Sequence, residues 1–403
     1  MKATLTSDTA SGQAVQQTVY PVLFAVSFSH LLNDTLQAVV PAIYPVLKES
    51  FHLNFKQIGL ITLIMQLTAS VLQPVVGALL DKNPKPYSLA FGMGSTMIGI
   101  ILLAFANSFP LVLLSVALMG LGSAVFHPEA SRMAYSAAGP KRGMAQSLFQ
   151  VGGNAGSAIG PLLAAIIVVK FGQPSIIWFT VLALLAILIL SKLGSWYKKN
   201  RLVKGNGGKA EANPYFTPRQ INISLGILLV LIFSKFVYNA ALGSYYTFYL
   251  IDKFGLSVKE SQLYLFLYLA SVAAGTYAGG PIGDKYGRRF VIWFSILGCT
   301  PFTLLLPHVD LFWTATLSVI IGLIMSSAFS AMLVYAQELL PGKVGTIAGL
   351  FFGLAFGIGG IASAALGALA DTTSLYFLFL ITSFLPLLGI FTAFLPKPAK
   401  IQI

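Results

Sequence analysis

Long apolar segments recur along the whole chain, and they restrict its fold more than any other feature. Counting them from Tyr20 to Leu395 gives twelve, and Ile176–Leu190 and Leu375–Leu395 are among the clearest. A helix needs about 20 apolar residues to cross a hydrocarbon core about 30 Å thick. Only 9% of the residues are charged, whereas a soluble domain carries about 25%. The sequence therefore predicts an all-α integral membrane protein with twelve transmembrane helices.

The polar start of the chain and its cysteine content narrow the class further. Residues 1–19 lack the basic start and short apolar core of a cleavable signal peptide, so we expect the first apolar stretch to stay in the membrane. The chain has one cysteine, Cys299, within an apolar run. We therefore expect neither an internal disulfide nor a cysteine-based metal site.

The distribution of basic residues predicts the orientation of the chain. The formal net charge is +13, and the composition includes 25 Lys and Arg residues. Eighteen of them fall on one side of the predicted topology, five fall on the other, and Arg132 and Lys235 lie within spans. Cytoplasmic loops are enriched in Lys and Arg, so both termini are predicted to be cytoplasmic. Topology thus accounts for the basic excess, and no nucleic-acid partner is expected.

A basic, glycine- and proline-containing stretch divides the chain into two similar halves. We predict a cytoplasmic linker at 198–219, six-helix bundles at 20–197 and 220–396, and cytoplasmic tails at 1–19 and 397–403. The segment Gly77–Lys82 aligns with Gly280–Lys285, which places Asp81 and Asp284 at equivalent points of the two halves. Two related bundles joined by a loop are typical of transporters that rock between two open states.

The most specific motif runs Gly280-Pro-Ile-Gly-Asp284-Lys-Tyr-Gly287-Arg288-Arg289. Glycines let helix ends approach closely, and the Asp284 carboxylate can meet a helix N-terminus or an arginine. With Asp81, these residues are expected to form a conformational latch. In this context the chain resembles the major facilitator superfamily over its full length, which implies two six-helix bundles with spans 1, 4, 7 and 10 around a central cavity. The first-half copy has Pro84 in place of the glycine and no arginine pair, so a weaker latch is expected there.

Further motifs indicate a narrower resemblance. Span 5 carries a Gly-x-x-x-Gly-Pro core ending at Pro161, which resembles a signature of drug–proton antiporters but also suits tight helix packing. Other segments resemble the fosmidomycin resistance group of bacterial efflux transporters: Ser29–Asp34, Phe126–Arg132, Gln150–Asn154, Phe233–Lys235, Ser244–Tyr249 and Tyr335–Pro341. This resemblance implies export of a phosphonate antibiotic across the bacterial inner membrane, driven by proton entry.

Ionisable residues inside the spans are candidates for function, because a charge at the bilayer centre costs about 2.5–3.5 kcal/mol. His30 and Asp34 lie four residues apart, so they share a face of span 1 at about mid-bilayer. We expect them to carry coupling protons, although a static structural pair is the alternative. A metal site needs more converging ligands than these two, and none is predicted.

Span 4 contributes a second charged group of His127, Glu129 and Arg132. Glu129 and Arg132 are three residues apart and can pair. A pair that opens when Glu129 is protonated would couple protons to transport, and a permanent ion pair is the equal alternative. His127 joins Asp34, His30 and Glu129 as a predicted proton-coupling residue.

Candidate substrate contacts lie on spans 4, 5 and 7. Lys235 is deep in span 7, and with Arg132 and the two histidines it is expected to form a partly cationic cavity that suits an anionic substrate. Neutral side chains complete the predicted substrate-binding set: Gln150, Asn154, Tyr238 and Asn239. The amides of span 5 fit helix packing as well as substrate binding.

These observations together predict a proton-coupled antiporter that exports a small anionic molecule. Proton-coupled uptake of an organic anion is the alternative. A membrane enzyme or receptor is disfavoured because no catalytic triad, metal cluster or nucleotide-binding loop is visible. The expected partners are protons, the substrate and the lipid bilayer, without a cofactor, and a monomer is expected.

Overall fold

Helices account for nearly all of the described chain. The structure is a computed structural model that describes residues 17–53, 55–203 and 216–396. Most of the predicted linker and tails, at 1–16, 204–215 and 397–403, lies outside the described residues. Twelve helical segments, numbered here as spans 1 to 12, follow one another: Tyr20–Ala42, Phe55–Lys82, Ser88–Ala104, Phe109–Ala137, Arg142–Phe171, Gln173–Phe179 continued by Thr180–Val203, Pro218–Phe254, Val258–Tyr286, Arg288–His308, Leu311–Ser326 continued by Ala328–Leu339, Val344–Thr372, and Leu375–Phe394.

Ten of the spans are long and apolar enough to cross a membrane by length and composition. The other two are the 17-residue Ser88–Ala104 and the 23-residue Tyr20–Ala42, which carries polar residues in its middle. The described residues contain no strand. The predicted all-helical membrane fold is confirmed.

Local signals fix several helix ends. Span 7 begins with a capping box in which Thr217 and Gln220 satisfy each other's backbone N–H groups. Ser257 and Glu260 form the same arrangement at the start of span 8. Between them, Gly255 ends span 7 with φ +65°, a backbone conformation that glycine adopts without strain.

Contacts between spans show how the two halves meet. Within the first half, span 1 packs against spans 4, 5 and 6, and span 2 packs against span 4. The main contacts between halves join span 2 to span 11 and span 5 to span 8. Large apolar side chains such as Phe91 and Ile361 are exposed on the outer surface, which is how a chain surrounded by lipid covers itself.

Alternation of the spans defines two sides of the molecule. The connections after spans 2 and 4 lie on the same side as the stretch that joins span 6 to span 7, and we call this the linker side. The connections after spans 1 and 3 lie on the opposite side. The functional residues described next fall at the linker side or at mid-span.

Candidate functional site

Three ionisable side chains meet between spans 1 and 4, and we call them the His–Asp cluster. Nε2 of His30 lies 3.3 Å from Oδ2 of Asp34, one turn further along span 1. Nε2 of His127, from span 4, lies 3.5 Å from Oδ1 of the same carboxylate. The two histidines are 2% and 1% exposed, whereas the side chain of Asp34 is 14% exposed. The shared face of His30 and Asp34 follows from sequence spacing, but the approach of His127 requires the fold.

Backbone carbonyls hold both imidazole rings in place. Nδ1 of His30 is 2.7 Å from the carbonyl oxygen of Phe149. The imidazole ring of His30 also stacks on the phenyl ring of Phe149, with the ring centroids 4.0 Å apart. Nδ1 of His127 is 3.0 Å from the carbonyl oxygen of Ser123. The side chain of Asn33 donates to Oδ1 of Asp34 at 2.9 Å. The cluster is therefore supported from spans 1, 4 and 5.

A cavity of about 240 Å³ reaches the cluster from the side opposite the linker. Asp34 and His127 line it, as do Pro41 and Tyr44 near the end of span 1 that faces away from the linker. Phe356 of span 11 is the lining residue from the second half. The remaining lining residues come from spans 1, 2, 4 and 5: Gln37, Ala38, Thr62, Met65, Gln66, Ala69, Ser123 and Ser157. Asp34 is the carboxylate that faces this space.

Several of these polar residues were not predicted as site residues. Gln37 donates from its amide to the carbonyl oxygen of Met119 at 3.0 Å, and Tyr44 shares a 2.7 Å hydrogen bond with Thr62. Gln37 lies three residues after Asp34, so helical spacing was a signal for it. Thr62 and Gln66 come from span 2, and nothing in their local sequence indicates that they face span 1.

The glycines of span 5 bring that helix against span 1. A Cβ atom at Gly152 would overlap the backbone of Ser27, and one at Gly153 would overlap the ring of His30. A Cβ atom at Gly156 would likewise overlap the carbonyl oxygen of Leu31. The glycine-rich motif of span 5 thus serves tight packing of this helix against span 1, which was one of its two interpretations.

Glu129 and Arg132 form an ion pair at the linker end of the first half. Nη2 of Arg132 lies 2.5 Å from Oε2 of Glu129, and Nη1 donates to the carbonyl oxygen of Leu80 at 2.9 Å. The hydroxyl of Ser88 also donates to Glu129, at 3.1 Å, and the guanidinium lies over the ring of Tyr197. These partners belong to spans 2, 3 and 6 and not to the cavity. The pair is formed in this structure, and whether it opens when Glu129 is protonated stays a prediction.

Lys235 is buried in the second half, away from the cavity lining. It is 3% exposed, and its Nζ donates to the carbonyl oxygen of Ser326 at 3.3 Å. The ammonium also lies 5.6 and 5.5 Å from the ring centroids of Phe236 and Phe329. No salt bridge to a carboxylate involves it in the described part of the chain. Neither Arg132 nor Lys235 lines the cavity that Asp34 and His127 face, and His30 lies behind Asp34 without lining it.

The neutral candidates for substrate contacts are dispersed. Asn239 accepts a hydrogen bond from the hydroxyl of Tyr268 at 3.3 Å, and Tyr238 is 1% exposed. Gln150 and Asn154 are half-buried on span 5. None of these four lines the cavity that reaches Asp34, so their predicted role as substrate contacts remains a prediction.

Two equivalent carboxylates connect the halves at the linker side. Asp81 accepts hydrogen bonds from the backbone N–H groups of Gly345 and Thr346 at 2.9 and 2.7 Å, and from the Thr346 hydroxyl at 2.7 Å. Asp284 accepts from the N–H groups of Gly143 and Met144 at 2.9 and 2.8 Å. Each carboxylate thus sits at the N-terminus of a span from the other half, where N–H groups lack partners within the helix.

The two arginines after Asp284 bind different parts of the second half. Arg288 lies 2.7 Å from Asp284 and 3.3 Å from Glu338, which in turn lies 3.4 Å from Arg142 of the first half. Arg289 donates instead to the carbonyl oxygens of Thr392 and Ala393 in span 12, at 3.3 and 2.7 Å. Gly287 ends span 8 at φ +95° and so turns the chain between Asp284 and this arginine pair. Only Arg288 joins the contact between halves.

The His–Asp cluster is the place in the described chain where a metal ion fits by spacing. One ligand atom from each of His30, Asp34 and His127 lies within 4.8 Å of the others. No metal site was predicted from the sequence, because His30 and Asp34 supply only two ligands on span 1. The third ligand comes from span 4 and becomes visible only in the fold.

Comparison with known proteins places this architecture in a family. A sequence profile of the Major Facilitator Superfamily matches residues 23–364. The chain is 54% identical over 389 residues to the fosmidomycin resistance protein of Escherichia coli strain K12, covering 96% of this chain and 95% of the relative. It is also 45% identical over 388 residues to the uncharacterized MFS-type transporter YfnC of Bacillus subtilis strain 168, with the same coverage of each chain.

Solved structures agree at the level of the fold. The fucose:proton symporter FucP of E. coli superposes with a TM-score of 0.73 at 14% identity, covering 94% of this chain and 99% of that chain. A bacterial homologue of the iron transporter ferroportin, in an outward-facing state, gives a TM-score of 0.72 at 15% identity over 92% and 98% of the two chains. The predicted resemblance is confirmed by the profile and by the relatives: the chain belongs to the major facilitator superfamily.

Proposed function

We propose that this protein is a proton-driven antiporter that exports a small anionic molecule, with the phosphonate fosmidomycin as the first compound to test. The relative that is 54% identical over 96% of the chain is a fosmidomycin resistance protein. Resistance through a membrane transporter requires outward movement of the drug. The match covers nearly all of both chains, so the comparison concerns whole transporters and not a shared fragment.

The observation that carries the proposal is a one-sided opening. The linker side is held shut by the hydrogen bonds of Asp81 and Asp284 to the opposite half. The cavity reaches Asp34 from the other side. A central polar cluster that is open to one side and closed to the other is one state of an alternating-access cycle.

Lys235 supports an anionic substrate. A buried ammonium is costly unless a counter-ion accompanies it. Among the described residues, this ammonium lies against a carbonyl oxygen and two aromatic rings. A substrate that brings its own negative charge would supply the missing partner when the linker side opens. Arg132 is less suited to this role, because Glu129 and Leu80 already occupy its guanidinium.

Proton coupling is assigned to Asp34 with His30 and His127, and to Glu129 as the second carboxylate. Asp34 is the member of this set that combines a carboxylate with access to the cavity. Glu129 is 4% exposed and bound by Arg132 and Ser88, so its proton would exchange only if that ion pair opened. Asp34 is therefore the residue to test first.

Flux measurements on the full-length protein in liposomes test the proposal. Fosmidomycin movement should follow an imposed pH gradient, and Asp34→Asn should abolish this dependence. The exposed Asp371→Asn is the matched control and should transport normally. Drug flux that ignores the pH gradient, or a normal Asp34→Asn variant, would refute proton coupling at this residue.

Substrate charge is tested by a second pair of variants. Lys235→Gln should weaken fosmidomycin binding by about tenfold or more, as expected when a charge-assisted contact of about 1.5–3 kcal/mol is lost. The exposed Lys192→Gln is the control and should bind like the unsubstituted protein. Accumulation of the drug in right-side-out vesicles, instead of its expulsion, would favour uptake as the direction.

The proposal includes the location and orientation of the protein. We place it as a monomer in the bacterial inner membrane, with two bundles at 20–197 and 220–396 and both termini in the cytoplasm. An epitope at either terminus should be protected from protease in intact spheroplasts and cleaved after lysis. Cleavage before lysis would reverse the orientation.

A further inference from the structure

The His–Asp cluster contains two buried imidazole nitrogens that have no hydrogen-bond partner among the described residues. A backbone carbonyl can only accept, so Nδ1 of His30, at 2.7 Å from the oxygen of Phe149, carries the ring proton. The same holds for Nδ1 of His127, at 3.0 Å from the oxygen of Ser123. In a neutral imidazole the other nitrogen then presents a lone pair. Both Nε2 atoms are buried and have no hydrogen-bond partner.

Both Nε2 atoms lie near one carboxylate. Nε2 of His30 lies 3.3 Å from one oxygen of Asp34, and Nε2 of His127 lies 3.5 Å from the other. Zinc bonds to nitrogen and oxygen measure about 2.0–2.2 Å, which places neighbouring ligand atoms of a tetrahedral site roughly 3.3–3.5 Å apart. Each imidazole already has this spacing to one oxygen of Asp34, and one ligand atom from each of the three residues lies within 4.8 Å of the others, so a cation could bind after a small shift of the side chains.

The surroundings also match those of a metal site. A metal-binding histidine usually donates its second ring N–H to a carbonyl or carboxylate, which fixes the tautomer and the ring orientation. Both imidazoles have this support. Asp34 and His127 line the cavity, so an ion reaches them without crossing the apolar core. A water molecule from the cavity can complete the coordination.

We infer that His30, Asp34 and His127 form a binding site for one divalent transition-metal ion, with Zn²⁺ as the first ion to test. Two imidazoles and one carboxylate suit Zn²⁺, Co²⁺ or Ni²⁺, whereas Mg²⁺ and Ca²⁺ prefer oxygen ligands throughout. Spans 1 and 4 together hold all three ligands, so the site does not require the two halves to move. This site goes beyond the proposed transport function and does not depend on the transported molecule.

Calorimetry with zinc chloride alone tests the site on the full-length protein in detergent, purified through a tag that lacks histidine. The chain has four histidines and one cysteine, and Cys299 is buried, so few other groups compete. One ion should bind per chain. His30→Gln and His127→Gln should each weaken binding by at least about tenfold, the scale found even for groups that only support a ligand.

The other two histidines, exposed His52 and His308, provide matched controls. His52→Gln and His308→Gln should bind zinc like the unsubstituted protein. Unchanged zinc affinity in both His30→Gln and His127→Gln would overturn the site, as would loss of binding in the control variants instead. No substrate or pH gradient is present, so this result is independent of the export assay.

Cobalt spectroscopy gives a second measurement that does not depend on a variant folding. Co²⁺ bound to the unsubstituted protein should show the strong visible bands of four-coordinate cobalt, and zinc chloride should remove them. A weak spectrum typical of hydrated, six-coordinate cobalt would overturn the inference.

Discussion

The two latches on the linker side, centred on Asp81 and Asp284, make the same kind of contact between the halves but use different third partners. Asp81 and Asp284 each accept hydrogen bonds from two successive N–H groups at the start of a span in the other half. Their third partners differ: the hydroxyl of Thr346 comes from the opposite half, whereas the guanidinium of Arg288 comes from the same half. One latch is thus completed by a neutral group across the interface and the other by a charge beside it.

This difference shows that the incomplete motif around Asp81 does not by itself imply a weaker contact between the halves. The first-half motif lacks the arginine pair, and a weaker latch was expected there. Asp81 nevertheless accepts three hydrogen bonds from the other half and Asp284 accepts two. The compensating donor, Thr346, lies far along the chain and belongs to no motif around Asp81. The strength of each latch depends on the donors in the opposite half as well as on the motif that carries the carboxylate.

The largest effect should come from adding a methyl group where the halves touch. An added Cβ at Gly77 would overlap the backbone of Gly345, and one at Gly280 would overlap the backbone of Gly143. Overpacking costs about 1–3 kcal/mol and occasionally more. Both built Cβ atoms overlap a backbone oxygen, so we expect the upper end, which is about 150-fold in the closed population. Gly77→Ala and Gly280→Ala should therefore open the linker side to a similar extent.

Labelling a cavity residue measures this opening. In a Cys299→Ser background, Ser157→Cys should react with a membrane-impermeant thiol reagent applied from the cavity side, and both glycine variants should slow that reaction. Gly226→Ala is the control, because no atom of another described helix lies within 4 Å of a Cβ built there. Equal reaction rates in Gly280→Ala and Gly226→Ala would show that the close contact does not govern closure.

A medium effect should follow from neutralising either aspartate. Asp81→Asn and Asp284→Asn each weaken charge-assisted hydrogen bonds worth about 1.5–3 kcal/mol. Because Asp81 accepts more bonds across the interface, its variant should lose at least as much labelling as the Asp284 variant. A normal Asp81→Asn beside a defective Asp284→Asn would restore the expectation drawn from the motif.

The smallest effect should separate the third partners of the two latches. Thr346→Val removes one hydrogen bond from an uncharged hydroxyl to the Asp81 carboxylate, about 1.5 kcal/mol, and its effect should depend little on salt because the hydroxyl carries no charge. Glu338→Gln disconnects Arg288 from Arg142, a partly exposed network whose contribution should be at most about 1 kcal/mol and should fall as salt rises. The labelling rate of Ser157→Cys at low and high salt distinguishes them, and a salt-sensitive Thr346→Val would contradict the assignment.

Sequence alone predicted the parts of this molecule that depend on local pattern. Apolar length gave the spans, and helical spacing placed His30 beside Asp34. The motif copies aligned Asp81 with Asp284. The sequence could not place His127 in the cluster or separate Arg132 from the cavity, because both depend on how spans 1, 2, 3, 4 and 6 rotate against each other. Lys235 was identified as buried, but its aromatic surroundings come from span 10 and from its own neighbour.

The composition of span 1 has a consequence for how the protein is made. Its polar middle keeps Tyr20–Ala42 outside the group of segments apolar enough to cross a membrane on their own, and polar residues reduce insertion of an isolated helix. His30 and Asp34 also contact groups of spans 4 and 5, which are synthesised later. We therefore expect span 1 to integrate stably only after spans 4 and 5 have been made. The side chains that form the polar centre of the protein would then also determine when its first span enters the membrane.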